Sequence, residues 1–525
     1  SSPPLSALGS GAGREVSPVS LPSAAFVLLL VHVALTTYLW DEASTHLPLA
    51  GAVARDLWPL EHPLFPGQPL RYHAGFAVLA GLVRATTGLP LDGCVDVVAV
   101  VGFVVVVAVV HDAICALGAR RHTQLLAVVA LLLGGPAAAG LADGWGAALP
   151  FTSVLPEAWK NGATFPPLVV TNLFQHPQGL GLPLGLAPLL LAGPGQHSRS
   201  RLVVAALGIV LLARVQIVVA LLCGVALVVR ALWRRDVGGL VALVGAAVVV
   251  GVDSGFASGG AALKAGGYFA SDGVVGAIVH NGLAFGVSLL ALPAALLLAR
   301  RAREPDLVWA LAVIGTVGFV VGNAVHYERS WDIVKFFGVS AFFAHVVVVV
   351  AAAHVAARGG AAVVAVALTG AISVSGGAFW LLRHGPLNGV VAAAYREDGT
   401  GDDVALFVDA VADVVPAHAR VFAPDFLELG RGGLLVPGTS WRKSKDTAAL
   451  LLDRPATEAL TRAYEGARRR LNADDLRALG VSFVVAKVSN RRLVNELHAS
   501  AFVEVLPLPD AAAARFVVAR VKGAP

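Results

Sequence analysis

The chain has 525 residues, 57% of them hydrophobic and only 14% charged, and its mean hydropathy is +0.75. That is more apolar text than a soluble core can use, so a water-soluble globular enzyme and a disordered chain are both excluded in favour of a polytopic membrane protein. The net charge of +5 is informative only loop by loop, where Lys and Arg near helix ends report orientation, and nucleic acid is not an expected partner.

Residues 1–20 are rich in Ser, Pro and Gly and read as a disordered cytoplasmic tail. Residues 21–40 supply the roughly 20 apolar residues a span needs and lack a small-residue cleavage site, so they read as a retained helix. Further apolar runs mark spans near 94–117, 123–141, 177–194, 237–256, 277–299, 307–325, 335–357 and 360–382. Basic clusters at 118–123, 195–201, 230–236, 299–304 and 356–360 belong to the cytoplasm by the positive-inside rule. Residues 202–232 begin and end beside such clusters, so they should enter and leave the membrane as two short arms broken near Arg214. The stretch "YHAGFAVLAGLVRATTG", 72–88, is short for a span of about 20 residues and carries Arg84, which places it along the outer interface.

Parity then puts the N-terminus inside and the loops 41–93, 142–176, 257–276 and 326–334 outside. Cys94, Cys115 and Cys223 lie in or beside apolar runs, at spacings that suit neither zinc nor a disulfide framework, and read as buried thiols. The membrane part is expected to cover 21–382, followed by a linker at 383–401. From 402 to 525 the text is that of a soluble α/β domain of about 120 residues: a helix "DDVALFVDAVADVV", a strand "ARVFAPD", a helix ending "DDLRALG", and strands "VSFVVAK", "FVEVLPL" and "RFVVARV". The fold class is therefore a polytopic α-helical membrane protein of about 10–12 transmembrane helices, including one broken short pair, with a C-terminal exoplasmic α/β domain.

Unusual residues collect in the outer loops. The first holds "TTYLWDEASTHLPLA", in which Asp41 and Glu42 follow the first span and His46 follows them, and then "WPLEHPLFPGQPLRYH", with Arg71 and His73 among four prolines that stiffen the path. A carboxylate where a helix leaves the bilayer can act as a base or hold a divalent cation; the plainer role for Asp41 is to cap the next helix. In the second loop Asp143 likewise follows a span, and Asp41 and Asp143 could share a divalent metal ion, the one cofactor the pattern suggests. Trp145 suits sugar stacking or simple anchoring at the interface. In "HYERSWDIVKFF" the cations Arg329 and Lys335 could bind a lipid phosphate, or snorkel and pair locally. Arg214, inside an apolar hairpin, is costly enough to need a partner or a carbonyl to cap. No phosphate-binding Gly-rich loop, zinc helix motif or nucleophile elbow is present, which sets ATP-driven and hydrolase functions aside.

This arrangement resembles the GT-C class of integral membrane glycosyltransferases, which includes protein O-mannosyltransferases and aminoarabinose transferases. The first span ends in acids, here Asp41 and Glu42. A long outer loop follows, "HLPLAGAVARDLWPLEHPLFPGQPLRYHAGF", and the second outer loop carries an acid, Asp143. The "PLFPGQPLRYHAG" and "RSWDIVKFF" stretches are similar to bacterial members of the class, and the likeness extends over essentially the whole chain in architecture. It implies a polyprenyl-phosphate-linked sugar as donor, a glycan, lipid or protein acceptor on the exoplasmic side, and a place in the bacterial plasma membrane serving the cell envelope. Asp41 would be the base that activates the acceptor hydroxyl, with Glu42 assisting. Arg329, Lys335 and Arg214 would hold the donor phosphate, while His46, Arg71, His73, Asp143 and Trp145 would face sugar and acceptor. Direct displacement would invert the anomeric centre. The chain lacks the WWDYG-type motif of oligosaccharyltransferases, which argues against transfer to Asn. Two alternatives from other classes stand beside this: a secondary transporter of a polar or anionic solute, for which Arg214 in a broken hairpin would be apt, and a non-catalytic lipid-binding or assembly protein of the same fold.

Overall fold

The computed structural model describes residues 46–62, 65–70, 73–89, 91–119, 124, 127–128, 134, 176–193, 198–253, 263–268, 273–327, 333–371, 414–416, 419–424 and 454–523. The tail, the span expected at 21–40, nearly all of that at 123–141 and the linker lie outside them.

The segment that follows folds as α1 (His46–Ala54), a hairpin of β1 (Glu61–His62) and β2 (Phe65–Pro69), and α2 (Gly75–Thr87). Gly88, in the left-handed region at φ 71°, ends α2 and donates its N–H to Arg84 O. At 13 residues α2 is about 20 Å long, well short of a hydrocarbon core of about 30 Å. Leu49 and Ala50 of α1 meet Phe76, Ala77 and Ala80 of α2 over Leu180 and Val215, so the two helices sit as a unit on the bundle.

The bundle consists of α3 (Leu91–Ala116), α4 (His176–Leu191), α5 (Ser198–Val215), α6 (Ile217–Trp233), α7 (Val237–Asp253), α8 (Gly273–Phe285), α9 (Ala291–Ala299), α10 (Pro305–Ala324), α11 (Val334–Ala356) and α12 (Ala361–Ala371). Among the described residues, 3 helices are long and apolar enough to cross a membrane, Gly93–Ala116, Pro305–Ala324 and Lys335–Ala356, with shorter apolar helices beside them. On α7, Val241, Val244, Val248 and Val252 are all exposed along one face. Such a stripe is untenable against water and ordinary against lipid tails, and the chain is an integral membrane protein.

The 202–232 segment is broken, as its charges require: α5 and α6 meet at Gln216, which is extended (φ -155°, ψ 104°) and caps α6 by accepting the Val218 N–H. The run at 277–299, expected as one continuous span, is instead three pieces. α8 gives way to a 3-10 turn at Gly286–Leu290, where Gly286 has φ 49°, before α9 resumes. Hydropathy registers only the continuous apolar text and cannot see such a change of backbone.

Small residues let α4 and α6 approach side by side. A Cβ at Gly181 would stand 2.8 Å from Gln216 Cβ, and one at Gly185 would stand 2.7 Å from Val219 Cγ1, closer than real side chains allow. At the far end of these helices Arg230 is fully buried. Its Nε lies 2.9 Å from Asp306 Oδ2, one Nη lies 2.9 Å from Glu304 Oε2, and the other donates to Leu189 O. Arg234 adds Asp306 and Ala192 O. The basic segments at 230–236 and 299–304 thus meet through ion pairs that fasten the ends of α4 and α6 to the start of α10. Near the opposite end, β3 (Leu263–Ala265) pairs antiparallel with β4 (Val325–Tyr327), while Asn281 and Asn323 exchange amide hydrogen bonds of 2.8 and 2.9 Å between α8 and α10.

In the C-terminal part a four-stranded sheet runs β5 (Val421–Phe422), β6 (Phe483–Lys487), β8 (Phe516–Val521), β7 (Val503–Leu506), with β5 parallel to β6 and the other pairs antiparallel. Helices α13 (Arg454–Arg469), α14 (Ala473–Ala478), α15 (Arg491–Ala499) and α16 (Asp510–Ala513) accompany it. Val484 and Ala486 face one apolar cluster with Tyr464 and Leu497, while Phe483 and Val485 face another with Val421 and Ala512. Both faces are buried, which is why this central strand reads as a near-continuous apolar run.

Candidate active site

Three residues singled out in the sequence come together at the end of the bundle opposite Arg230. His46, the first residue of α1, is buried and sets its ring against Phe76 of α2, edge to face, with centroids 5.7 Å apart. His73 lies just before α2 and is half-buried, with its Nε2 shielded from solvent. Burial holds its pKa well below the ordinary imidazole range, and the charge of Lys335 and the neighbouring His46 add to the depression. His73 is therefore neutral at pH 7, beside a half-buried ammonium contributed by the first turn of α11. Residues 46, 73 and 335, far apart in sequence, form one polar group.

The backbone break supplies the floor beneath them. α2 starts against it so closely that a Cβ on Gly75 would stand 2.8 Å from Arg214 O. Gln216 is buried with its side chain on the Val218 N–H. Gln178, on α4, is 1% exposed, and neither its Oε1 nor its Nε2 has a hydrogen-bond partner among the described residues. A bare buried polar group costs about 1–3 kcal/mol, so this amide is held at an expense the fold does not recover. Neither glutamine stands out in the sequence, because a neutral amide carries no signal until its burial is known.

Arg214 occupies the last turn of α5, two residues before the break, with an exposed side chain, where a cation suits the helix dipole. Asp41, Glu42, Arg71, Asp143, Trp145 and Arg329 lie outside the described residues, and with them the suggested metal pair of Asp41 and Asp143. Among the described residues no three of His, Cys, Asp and Glu are grouped to hold a metal ion.

No protein-family model and no curated protein matches the chain. Among solved structures it is similar to ArnT from Cupriavidus metallidurans bound to undecaprenyl phosphate, with a TM-score of 0.48 and 13% identity over 95% of this chain and 97% of that one. It is also similar to the archaeal oligosaccharyltransferase AglB from Archaeoglobus fulgidus in complex with an inhibitory peptide and a dolichol-phosphate, with a TM-score of 0.42 and 12% identity over 89% and 69% of the two chains. The apo form of the Archaeoglobus fulgidus oligosaccharyltransferase gives 0.40 and 10% over the same shares. These proteins fall in the class the sequence resembles. At such scores the likeness itself transfers neither a residue nor an activity.

Proposed function

We propose that the chain is a GT-C-type membrane glycosyltransferase that moves a sugar from a polyprenyl-phosphate carrier to an acceptor on the exoplasmic side. The observation that carries this reading is the meeting of His46, His73 and Lys335 at one end of the bundle. A lipid-linked donor keeps its phosphate and sugar at the membrane surface, so its site belongs where helices emerge. Lys335 supplies the charge for the lipid phosphate, aided by Arg329 six residues earlier and by Arg214 at the rim. The neutral imidazole of His73 offers an N–H without raising the charge of the pocket.

Asp41 is five residues from His46, so its Cα lies at most about 18 Å from that of His46, within reach of the same space. In the reaction Asp41 takes the proton from an acceptor hydroxyl as the oxygen attacks the anomeric carbon. The bond from that carbon to the phosphate oxygen breaks, and its electron pair leaves on the phosphate, where Lys335 stabilises it. Glu42 orients Asp41, and Arg71, Asp143 and Trp145 line the sugar and acceptor side. A single displacement inverts the anomeric centre.

The test is transfer from polyprenyl phosphates carrying defined hexoses or pentoses, comparing the chain with Asp41→Asn and Lys335→Met. Losses of roughly 100-fold or more are expected for each. Transfer at the unaltered rate by Asp41→Asn would remove the base from this scheme, and by Lys335→Met the phosphate site.

A further inference from the structure

Gln178 has no task in the reaction as drawn, yet its position is built. Gly181 and Gly185 press that face of α4 onto Gln216, Val219 and Cys223, and Gln178 lies on the same face one turn earlier. The α4 axis runs alongside α6 in the same direction, since Gly181 meets the first end of α6 and Leu189 O meets Arg230 near its last. Gln178 is therefore carried about 4.5 Å past Gly181, over the capped N-terminus of α6 and the α5–α6 break. Nearby Leu180 and Val215 are covered by Leu49 and Phe76 of the α1–α2 unit, the unit that also brings His46 and His73.

A primary amide with both ends bare calls for a ligand that donates and accepts at once. A phosphate would satisfy Nε2 alone and leave Oε1 facing an anion. Adjacent hydroxyls of a neutral sugar satisfy both.

Resting on the transferase reading, we propose that Gln178 is the residue that binds the hydroxyls of the donor's sugar, reached when the α1–α2 unit lifts from the α5–α6 break. The sugar subsite at Gln178 is then distinct from the phosphate subsite at Lys335. It selects for the ring and not for the lipid.

The experiment uses the full chain purified in detergent, with Gln178→Leu and Gln178→Asn. Melting temperature is followed alone, with bare polyprenyl phosphate, and with polyprenyl phosphates carrying a hexose or a pentose; transfer kinetics are measured in parallel. Gln178→Leu is expected to melt higher than the unaltered chain, because a bare buried amide is gone. It should respond equally to bare and sugar-bearing lipid, and its donor KM should rise about tenfold or more. Gln178→Asn, with a shorter amide, should keep part of the sugar response. An unaltered donor KM, equal loss of response to bare lipid, or a lower melting temperature for Gln178→Leu would each overturn the assignment. If the unaltered chain transfers no sugar from any donor, the transferase reading fails by itself. The Gln178 assignment then stands or falls on whether sugar-bearing lipid stabilises the unaltered chain more than bare lipid, and whether Gln178→Leu abolishes that difference.

Discussion

Gly75→Ala probes how closely the seat of α2 sets the site. The new methyl would lie 2.8 Å from Arg214 O, 3.1 Å from Arg214 C and 3.0 Å from Val215 Cγ2, whereas ordinary contact begins near 3.4 Å. Two of these atoms are backbone at a helix end, so relief has to come from α2 withdrawing by about 0.6 Å. His73 is two residues away on the same strand of chain and moves with it, whereas Lys335 belongs to α11 and does not. Overpacking costs about 1–3 kcal/mol, and the gain of alanine over glycine in a helix returns about 0.5–1 kcal/mol, so the variant remains folded with a modestly lower melting temperature. Active-site geometry tolerates about 0.5 Å, and a displacement of about 1 Å can cost 100-fold, so kcat/KM for sugar transfer should fall about tenfold. Gly93→Ala is the control, since its Cβ meets nothing within 4 Å. Unaltered kinetics and melting for Gly75→Ala would refute the coupling of α2 to the site.

Arg230→Ala leaves Glu304 without its partner and Asp306 with Arg234 alone, and should cost about 3 kcal/mol, read as a large drop in melting temperature; an unaltered temperature would show that the Arg230 ion pairs contribute nothing. His73 gives stability a pH dependence. Its folded pKa is depressed below the ordinary 6.5, so on acidification the unfolded chain takes up the proton first, and the stability present above pH 6.5 is lost as pH falls toward the folded value. Melting temperature should be level above about pH 7 and decline below 6.5, and His73→Gln should remove that decline. Leu89, exposed just beyond α2, tests orientation: Leu89→Cys should react with an impermeant reagent added outside intact cells, and protection there would overturn the outer placement of α2.

The parts legible in the sequence are those that a one-dimensional signal determines. Long apolar runs found α3, α10 and α11 to within a few residues, since transfer to lipid depends on composition over about 20 residues and little else. The α5–α6 break is legible because basic clusters flank both ends of 202–232, and it falls at Gln216, two residues past Arg214. The 3-10 turn inside 277–299 is not, although Gly286 and Ser288 stand there, because both are tolerated in straight membrane helices. In the sequence Arg230 carries only the signature of a loop charge, and its burial follows from the convergence of α4, α6 and α10. His46, His73 and Lys335 were each legible as candidates from their loops; that they meet is a property of the fold.

The two ends of the same helices differ in what their central polar groups meet. Each guanidinium nitrogen of Arg230 has a carboxylate or carbonyl, as a fixed anchor in a low-dielectric setting requires, although Asp236 Oδ2 nearby is buried without a hydrogen-bond partner among the described residues. Around the α5–α6 break the backbone is interrupted, a buried amide is left bare, and a neutral histidine is pressed toward a cation. A neutral amide with both ends bare is a group that a sugar can satisfy, so the end that holds Gln178 is the one proposed to bind. Changes at the two ends should then act independently, since sites this far apart with no shared partner are additive within about 0.5 kcal/mol. Arg230→Ala should lower the melting temperature without moving the pH at which stability declines. Gly75→Ala, by drawing His73 away from Lys335, should let His73 protonate more readily and so soften that decline. If Arg230→Ala instead altered the His73 titration, the anchor and the site would be one coupled unit, and the division between them would be wrong.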